Sequence, residues 1–269
     1  MSVSAPSRLT PSGPMTPFRA QRIWERNILV YRRLWKIIFT GFFEPVFYLF
    51  SIGIGIGAMV GDVTLPNGLV IGYPAFVAPA LMAASAMNGA VLETTFNIFF
   101  RLKFEKVYEG ILTTPLIPRD IAVGEIGWAL LRGALYATVF LVVMVLMSLT
   151  QSWWAVMMVP GAVLIGFAFG SLGMATATYM RSWQDLDLVS LVTMPLFLFS
   201  ATFYPLEVYP PAIQQIARLS PLYHGTEMLR AFSLGIFDWS LAGHISFLVV
   251  VGLIGARISS RRFDGLLRK

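Results

Sequence analysis

Long apolar stretches dominate this chain, and the polar segments between them are short. A helix rises about 1.5 Å per residue, so about 20 apolar residues cross a hydrocarbon core about 30 Å thick. Most of the stretches reach that length, and the fifth is marginal. The pattern predicts six transmembrane helices, over Ile37–Val60, Ala75–Phe100, Ile121–Ser148, Ala155–Met180, Leu188–Tyr204 and Leu241–Ala256.

The residues before the first apolar stretch fall into two parts. Residues 1–17 are rich in Ser and Pro and predict a disordered tail. Residues 18–36 alternate apolar and basic side chains at near-helical spacing, which is typical of an amphipathic helix in the membrane interface, although a plain basic flank is the alternative. The first apolar run is too long and starts too late for a cleaved signal peptide. Residues 18–269 are therefore expected to form one membrane domain.

The segment between the fifth and sixth stretches is broken by prolines. Pro210, Pro211 and Pro221 divide it into two short helical pieces, 212–219 and 222–237. Neither piece is long enough to cross a bilayer, so both are expected to be half-inserted or surface helices on the outer side. The predicted fold class is an all-α membrane protein with six spans, an N-terminal interfacial helix and two outer half-helices.

Positive charges are distributed unevenly about the predicted spans. Seventeen of the 20 Lys and Arg residues lie at the termini or in the loops on the same side as the termini. Basic residues are retained in the cytoplasm, so both termini are predicted to be cytoplasmic. This distribution also explains the net charge of +6 without nucleic acid.

Several kinds of chemistry are not supported by the sequence. The chain has no cysteine and two histidines that lack carboxylates at ligand spacing, which argues against a disulfide framework and a metal site. It also lacks the Gly-x-x-x-x-Gly-Lys-Ser/Thr phosphate loop, so this chain is expected to bind no cofactor and not to hydrolyse ATP.

The loop between the second and third stretches carries both charged and apolar residues. A short helix is predicted over Lys103–Glu109, with Gly110 as its C-cap. Its apolar side chains indicate either docking onto a partner or packing beneath the inner ends of the spans.

Four ionisable residues lie within the predicted spans. They are Glu44, Glu93, Glu125 and Arg132. Charged groups are costly in a membrane and are by default candidates for function. Arg132 is expected to pair with one of the carboxylates as a tether between helices, or to contact the polar head of a substrate.

Three segments resemble a known family. They are Glu105-Lys-Val-Tyr-Glu-Gly-Ile-Leu-Thr-Thr-Pro-Leu, Phe199-Ser-Ala-Thr-Phe-Tyr-Pro-Leu-Glu207 and Ser220-Pro-Leu-Tyr-His-Gly-Thr-Glu-Met-Leu-Arg230. Over residues 20–265 the chain is similar to permease subunits of type-2 ATP-binding-cassette exporters. Tyr31-Arg-Arg, Glu44-Pro45 and the run from Met82 to Thr95 most resemble the NodJ-type branch, which exports lipo-chitooligosaccharide nodulation factors. Daunorubicin-type drug permeases are near neighbours of that branch.

This resemblance implies a bacterial cytoplasmic membrane permease that works as a dimer with a separate ATPase subunit, which binds ATP and magnesium. The cargo it implies is a lipid-linked oligosaccharide or glycolipid, with drug efflux as the alternative. The implied coupling residues are Glu105, Lys106, Val107, Tyr108, Glu109, Gly110, Leu112, Thr113, Thr114 and Pro115. The implied outer gate consists of Tyr204, Pro205, Pro210, Pro221, His224, Glu227 and Arg230.

Two other classes of membrane protein are alternatives to the exporter. A secondary transporter usually shows an inverted repeat or matched broken spans, and neither is visible here. A membrane enzyme acting on lipid needs a cluster of His, Asp or Ser at one membrane face, and the sequence is too poor in such residues. An adjacent coding region for an ATPase with a Walker motif would separate the exporter from both.

Overall fold

The computed structural model describes residues 17–33, 43–66 and 68–267, and most of them are helical. The helices are α1 (Pro17–Arg33), α2 (Phe43–Tyr48, continued by a π-helical stretch Leu49–Ile56 and by Gly57–Val60), α3 (Tyr73–Lys103), α4 (Val107–Ile111), α5 (Pro118–Leu146), α6 (Trp153–Ala177), α7 (Asp185–Phe199), α8 (Pro211–Leu219), α9 (Pro221–Leu234) and α10 (Trp239–Leu267). A short 3-10 turn, Leu206–Val208, precedes α8.

Four of the helices in the described part of the chain, α3, α5, α6 and α10, are long and apolar enough to cross a membrane. Helix α2 adjoins residues 34–42, which lie outside the described ranges, and α7 has only 15 residues. The prediction of an all-α membrane protein is confirmed, while the count of six spans stays a prediction.

Helix α6 lies at the centre of the bundle and packs against α3, α5 and α10. Glycines allow this close approach. A Cβ atom on Gly252 would lie 2.4 Å from the Phe167 ring, and one on Gly255 would lie 2.8 Å from the backbone nitrogen of Leu172. Helices in membranes associate through such small residues because lipid supplies no hydrophobic driving force between them.

The bundle has two distinct ends. One end, here called the terminal face, carries α1, α4 and the C-terminal part of α10, where Ile23, Tyr108 and Phe263 are buried together. The opposite end, the hairpin face, carries helix α8, the N-terminal end of α6 and a small β-hairpin. Strand β1 (Asp62–Thr64) pairs antiparallel with β2 (Val70–Gly72) there.

This hairpin was not predicted, because the segment reads as a turn-rich loop. Gly61 and Gly68 have φ values of +74° and +82°, which glycine adopts at little cost. These two positions turn the chain between α2 and α3 and allow three residue pairs to form a ladder.

The helix predicted over Lys103–Glu109 is wrong in its position. Helix α3 continues to Lys103, the chain then turns, and Lys106 adopts a left-handed conformation with φ 51° just before α4. Gly110 lies inside α4, which ends at Ile111 with Leu112 as its C-cap, so Gly110 is not the C-cap. The prediction failed because α3 continues as a helix through Arg101 and Lys103, the basic residues that were expected to lie outside the span.

The other segments outside the spans are close to prediction. The two half-helices are present as α8 and α9, and α9 ends at Gly235 (φ +73°) rather than at Phe237. Helix α1 accounts for the predicted N-terminal helix up to Arg33. The predicted tail, except for Pro17, and residues 34–36 of the N-terminal helix lie outside the described residues.

Candidate functional site

Glu125 is the most connected charged residue at the terminal face. It lies in the second turn of α5, and its side chain is 2% exposed. Its Oε2 atom lies 2.7 Å from Nη1 of Arg101 on α3, and its Oε1 atom lies 3.8 Å from Nη1 of Arg26 on α1. A buried carboxylate requires such partners, because an uncompensated charge in this environment is strongly unfavourable.

Two neutral side chains complete the surroundings of Glu125. The hydroxyl of Tyr108 on α4 donates a hydrogen bond of 3.3 Å to Oε1, and the amide of Asn27 on α1 donates one of 3.4 Å to Oε2. Burial, and secondarily the nearby Glu125 charge, raise the pKa of Tyr108 well above its usual range, so the phenol stays protonated and can donate. One carboxylate therefore joins α1, α3, α4 and α5. We call the five residues Arg26, Asn27, Arg101, Tyr108 and Glu125 the Glu125 cluster.

Helix α1 is also held against α5 by close packing. The indole nitrogen of Trp24 donates a hydrogen bond of 3.0 Å to the carbonyl of Gly124. A Cβ atom on Gly124 would lie 2.9 Å from Ile23, and one on Gly127 would lie 2.6 Å from the Trp24 ring. The two glycines let α1 approach α5 closely enough to place Asn27 and Arg26 at Glu125.

The predicted coupling residues divide between two sides of α4 and its flanks. Tyr108 is buried, and Val107 and Leu112 are half-buried beneath the spans. The remaining members are exposed: Glu105, Lys106, Glu109, Gly110, Thr113, Thr114 and Pro115. Both interpretations of this loop are thus compatible with the fold, since one side packs under the bundle and the other is free for a partner.

Arg132 on α5 pairs with Glu93 on α3. Its second guanidinium nitrogen donates to the Tyr136 hydroxyl at 3.1 Å, and Asn97 donates to the same Glu93 carboxylate at 2.8 Å. The cleft beside them has a volume of about 30 Å³, which is room for no more than a few water molecules. The side chain of Glu44, the other predicted partner, lies outside the described residues.

Arg230 is a buried basic residue near the hairpin face. It pairs with Glu227 on the preceding turn of α9, and its Nη2 donates to the carbonyl of Ala201 at 3.0 Å. Its guanidinium also lies 3.9 Å from the centroid of the Phe76 ring on α3. Arg230 therefore ties α9 to α3 and to the bend that follows α7.

A cavity of about 420 Å³ lies beside Arg230. Of the predicted outer-gate residues, Pro205, His224, Glu227 and Arg230 line it. The others do not: Tyr204 is exposed, Pro210 precedes α8, and Pro221 begins α9.

Sequence reasoning missed several members of these clusters. Arg26 and Arg101 around Glu125 count in the sequence only among the basic residues that flank the spans, and the sequence does not single out Asn27, Asn97 or Tyr136. His244 lines the cavity together with His224, and the sequence indicates only that neither histidine has carboxylates at metal-ligand spacing. The available signal was helical spacing, since Asn97 lies four residues after Glu93 and Tyr136 four residues after Arg132.

The fold and these clusters define a polytopic α-helical membrane protein whose spans are joined by buried charged groups to a helix and a loop at one face. The chain belongs to the ABC-2 type transporter family, whose sequence model matches residues 19–234.

Curated relatives agree with this membership. The chain is similar to nodulation protein J of Rhizobium leguminosarum bv. viciae, with 33% identity over 247 residues, 89% of this chain and 93% of the relative. Nodulation protein J of Sinorhizobium fredii is 33% identical over 264 residues, 92% of this chain and 97% of the relative. The inner membrane transport permease YadH of Escherichia coli K12 is 27% identical over 233 residues, 85% and 88% of the two chains. The chain is thus the membrane subunit of a transporter, and its family implies an ATP-binding partner subunit.

Proposed function

We propose that this chain is the permease of an ATP-driven exporter that moves an amphiphile out of the cytoplasm or the inner leaflet. The Glu125 cluster is the observation that supports ATP-driven coupling best. It gives the loop at α4 a direct polar connection to two long helices, α3 and α5, and to α1.

In this proposal α4 receives the force of ATP hydrolysis. Its exposed side, with Glu105, Lys106 and Glu109, docks on the ATPase subunit. Its buried side moves Tyr108, and Glu125 passes that movement to the spans. A buried ionic cluster suits this role because its hydrogen-bonded side chains hold one another in fixed positions, so a movement of one is passed to the others.

The assembly and orientation are part of the same proposal. The permease works as a homodimer in the bacterial cytoplasmic membrane, with the terminal face and both termini in the cytoplasm and with α1 in contact with membrane lipids. The basic residues of the terminal-side loops support this orientation. The name of the Escherichia coli relative supports the inner membrane.

The cargo is proposed to be a lipid-linked oligosaccharide or glycolipid. The support is the similarity to nodulation J proteins over about nine-tenths of the chain. Export of a hydrophobic drug is the alternative outcome of the experiment below, since the same complex can be offered either kind of compound.

The proposal is tested with the complex of this permease and an ATP-binding-cassette ATPase subunit that assembles with it, reconstituted in liposomes. ATP hydrolysis and export of glycolipids and of drugs are measured for Tyr108→Phe and Glu125→Gln. A hydrogen bond to a charged group contributes about 1.5–3 kcal/mol, so each variant is expected to lose roughly tenfold or more in export per ATP hydrolysed. Tyr48→Phe, which removes an exposed hydroxyl on α2, is the matched control and should behave as the parent.

Two results would count against the proposal. If both variants export normally while the complex stays assembled, the Glu125 cluster does not transmit the force. If the parent transports without any ATPase subunit present, the chain is not an ATP-driven permease.

A further inference from the structure

The two histidines of this chain contact each other at the hairpin face. The sequence contains only His224 and His244, and the structure places their Nδ1 atoms 2.8 Å apart. His224 lies in α9 and His244 in α10, and both line the 420 Å³ cavity. The Phe247 ring stacks on His224, with 4.0 Å between the ring centroids.

The hydrogen bonds determine where the protons lie in this pair. The Nε2 atom of His224 is 2.9 Å from the carbonyl oxygen of Arg218 at the end of α8. A carbonyl oxygen only accepts, so Nε2 of His224 carries a proton. The Nδ1 atom of a neutral His224 is then the acceptor, and Nδ1 of His244 must be the donor.

This contact joins three elements. The carbonyl of Arg218 belongs to α8, His224 to α9 and His244 to α10. The pair therefore fastens the two half-helices to a long helix of the bundle.

The first and the second proton taken up by the pair have different effects. One proton leaves the hydrogen bond intact, because either Nδ1 atom can then donate to the other, and Glu227 on α9 and Asp238 before α10 are the carboxylates that face His244. A second proton places an N–H donor on both Nδ1 atoms, face to face at 2.8 Å, and no hydrogen bond can then join them.

Other charged and titratable groups around the pair are Glu207 before α8, Arg218 on α8, and Tyr223 and Arg230 on α9. Burial, and secondarily the neighbouring His244, lower the pKa of His224 from 6.5. Opening the contact would relieve that burial and separate the two rings, so the open form binds the second proton of the pair more tightly than the closed form. The closed form is therefore favoured above about pH 6.5 and loses its advantage as the pH falls below that value.

We propose that His224 and His244 form a proton-operated latch that holds α8 and α9 against α10 at neutral pH and releases them on acidification. The proposal goes beyond the export function and requires neither a cargo nor the ATPase. Histidine is the side chain whose ordinary titration falls between about pH 5 and pH 8, and these are the two histidines of the chain.

The latch is tested by thiol labelling of the full-length permease in lipid nanodiscs, where both faces meet the buffer. The chain has no cysteine, so a single introduced one reports alone. Thr226→Cys places it on α9 at a fully buried position, and Gln215→Cys places it at an exposed position on α8. The labelling rate of Thr226→Cys is divided by that of Gln215→Cys. This ratio cancels the effect of pH on thiol reactivity.

We expect this ratio to rise at least about threefold between about pH 7.5 and pH 5, where histidine becomes charged. His244→Asn retains an amide that can donate to His224 or accept from it, but it cannot take up a proton. In that background the ratio should stay flat. His224→Gln, which likewise cannot be charged, should give the same flat response and serves if His244→Asn does not fold.

A flat ratio in the parent would overturn the latch. An equal rise in the parent and in either histidine variant would also overturn it, because the response would then come from another group. These outcomes are independent of whether the complex exports anything.

Discussion

At the scale of single residues, the buried side chains of Glu93, Glu125 and Arg230 contact groups on neighbouring helices or loops. Arg132 pairs with Glu93, Glu125 with Arg101, and Arg230 with Glu227 and two backbone carbonyls. Taking one partner away from a buried pair leaves an uncompensated charge, and this costs about 3–5 kcal/mol. Replacing both partners by neutral groups costs much less. Comparing a single with a double substitution therefore distinguishes a structural tether from a substrate contact.

Arg132→Ala is expected to lower the free energy of unfolding by about 3 kcal/mol, because the Glu93 carboxylate stays buried without the guanidinium. Adding Glu93→Gln should recover part of this loss. Thermal unfolding of the purified permease in detergent measures both effects. If Arg132→Ala leaves stability unchanged but lowers export, Arg132 contacts cargo, and if it changes neither, both interpretations fail.

At the scale of elements, the docking of α1 on α5 depends on two glycines. A side chain at Gly127 would collide with the Trp24 ring, which is held by its hydrogen bond to the carbonyl of Gly124. By contrast, Gly133 on the same helix has nothing within 4 Å of a Cβ position. Gly127 should therefore not tolerate a side chain, whereas Gly133 should, although both lie in α5.

Gly127→Ala is expected to displace α1 and to destabilise the protein by about 1–3 kcal/mol, as overpacking does. Gly133→Ala is the matched control and should be neutral or stabilising by up to about 1 kcal/mol, because alanine favours a helix over glycine. Thermal unfolding of the two variants compares their stabilities. Equal stability of both variants would mean that α1 is not packed against α5.

At the scale of the whole molecule, the hairpin face and the terminal face should lie on opposite sides of the membrane. Val208 is 67% exposed at the hairpin face, and Arg261 is exposed near the end of α10. The bias of Lys and Arg toward the terminal-side loops predicts that this side is cytoplasmic.

A cysteine at Val208 should react with an impermeant thiol reagent in intact cells, whereas one at Arg261 should react only after the membrane is permeabilised. The parent has no cysteine and gives no background. Labelling of the Arg261 variant in intact cells would reverse the orientation and exclude α4 as the element that meets a cytoplasmic ATPase.

The sequence alone determined the class of this protein, most helix positions and the candidate charged residues. These properties are local, because apolar length, proline position and the sorting of basic residues are all visible within a few turns of chain. The bend after α7 shows where such local signals stop, because its left-handed φ of 54° falls on Ala201, without the glycine that such a bend favours.

Only the tertiary structure decided which of these residues meet. Asn27 and Glu125 are 98 positions apart, Glu93 and Arg132 are 39 apart, and His224 and His244 are 20 apart. Helix packing brings such residues together, and packing depends on the shapes of whole helix faces, including where glycines let them approach. The bounds of α4 were missed for the same reason, since the packing of α3 and the buried Tyr108, and not the charges along the loop, decide where that short helix begins and ends.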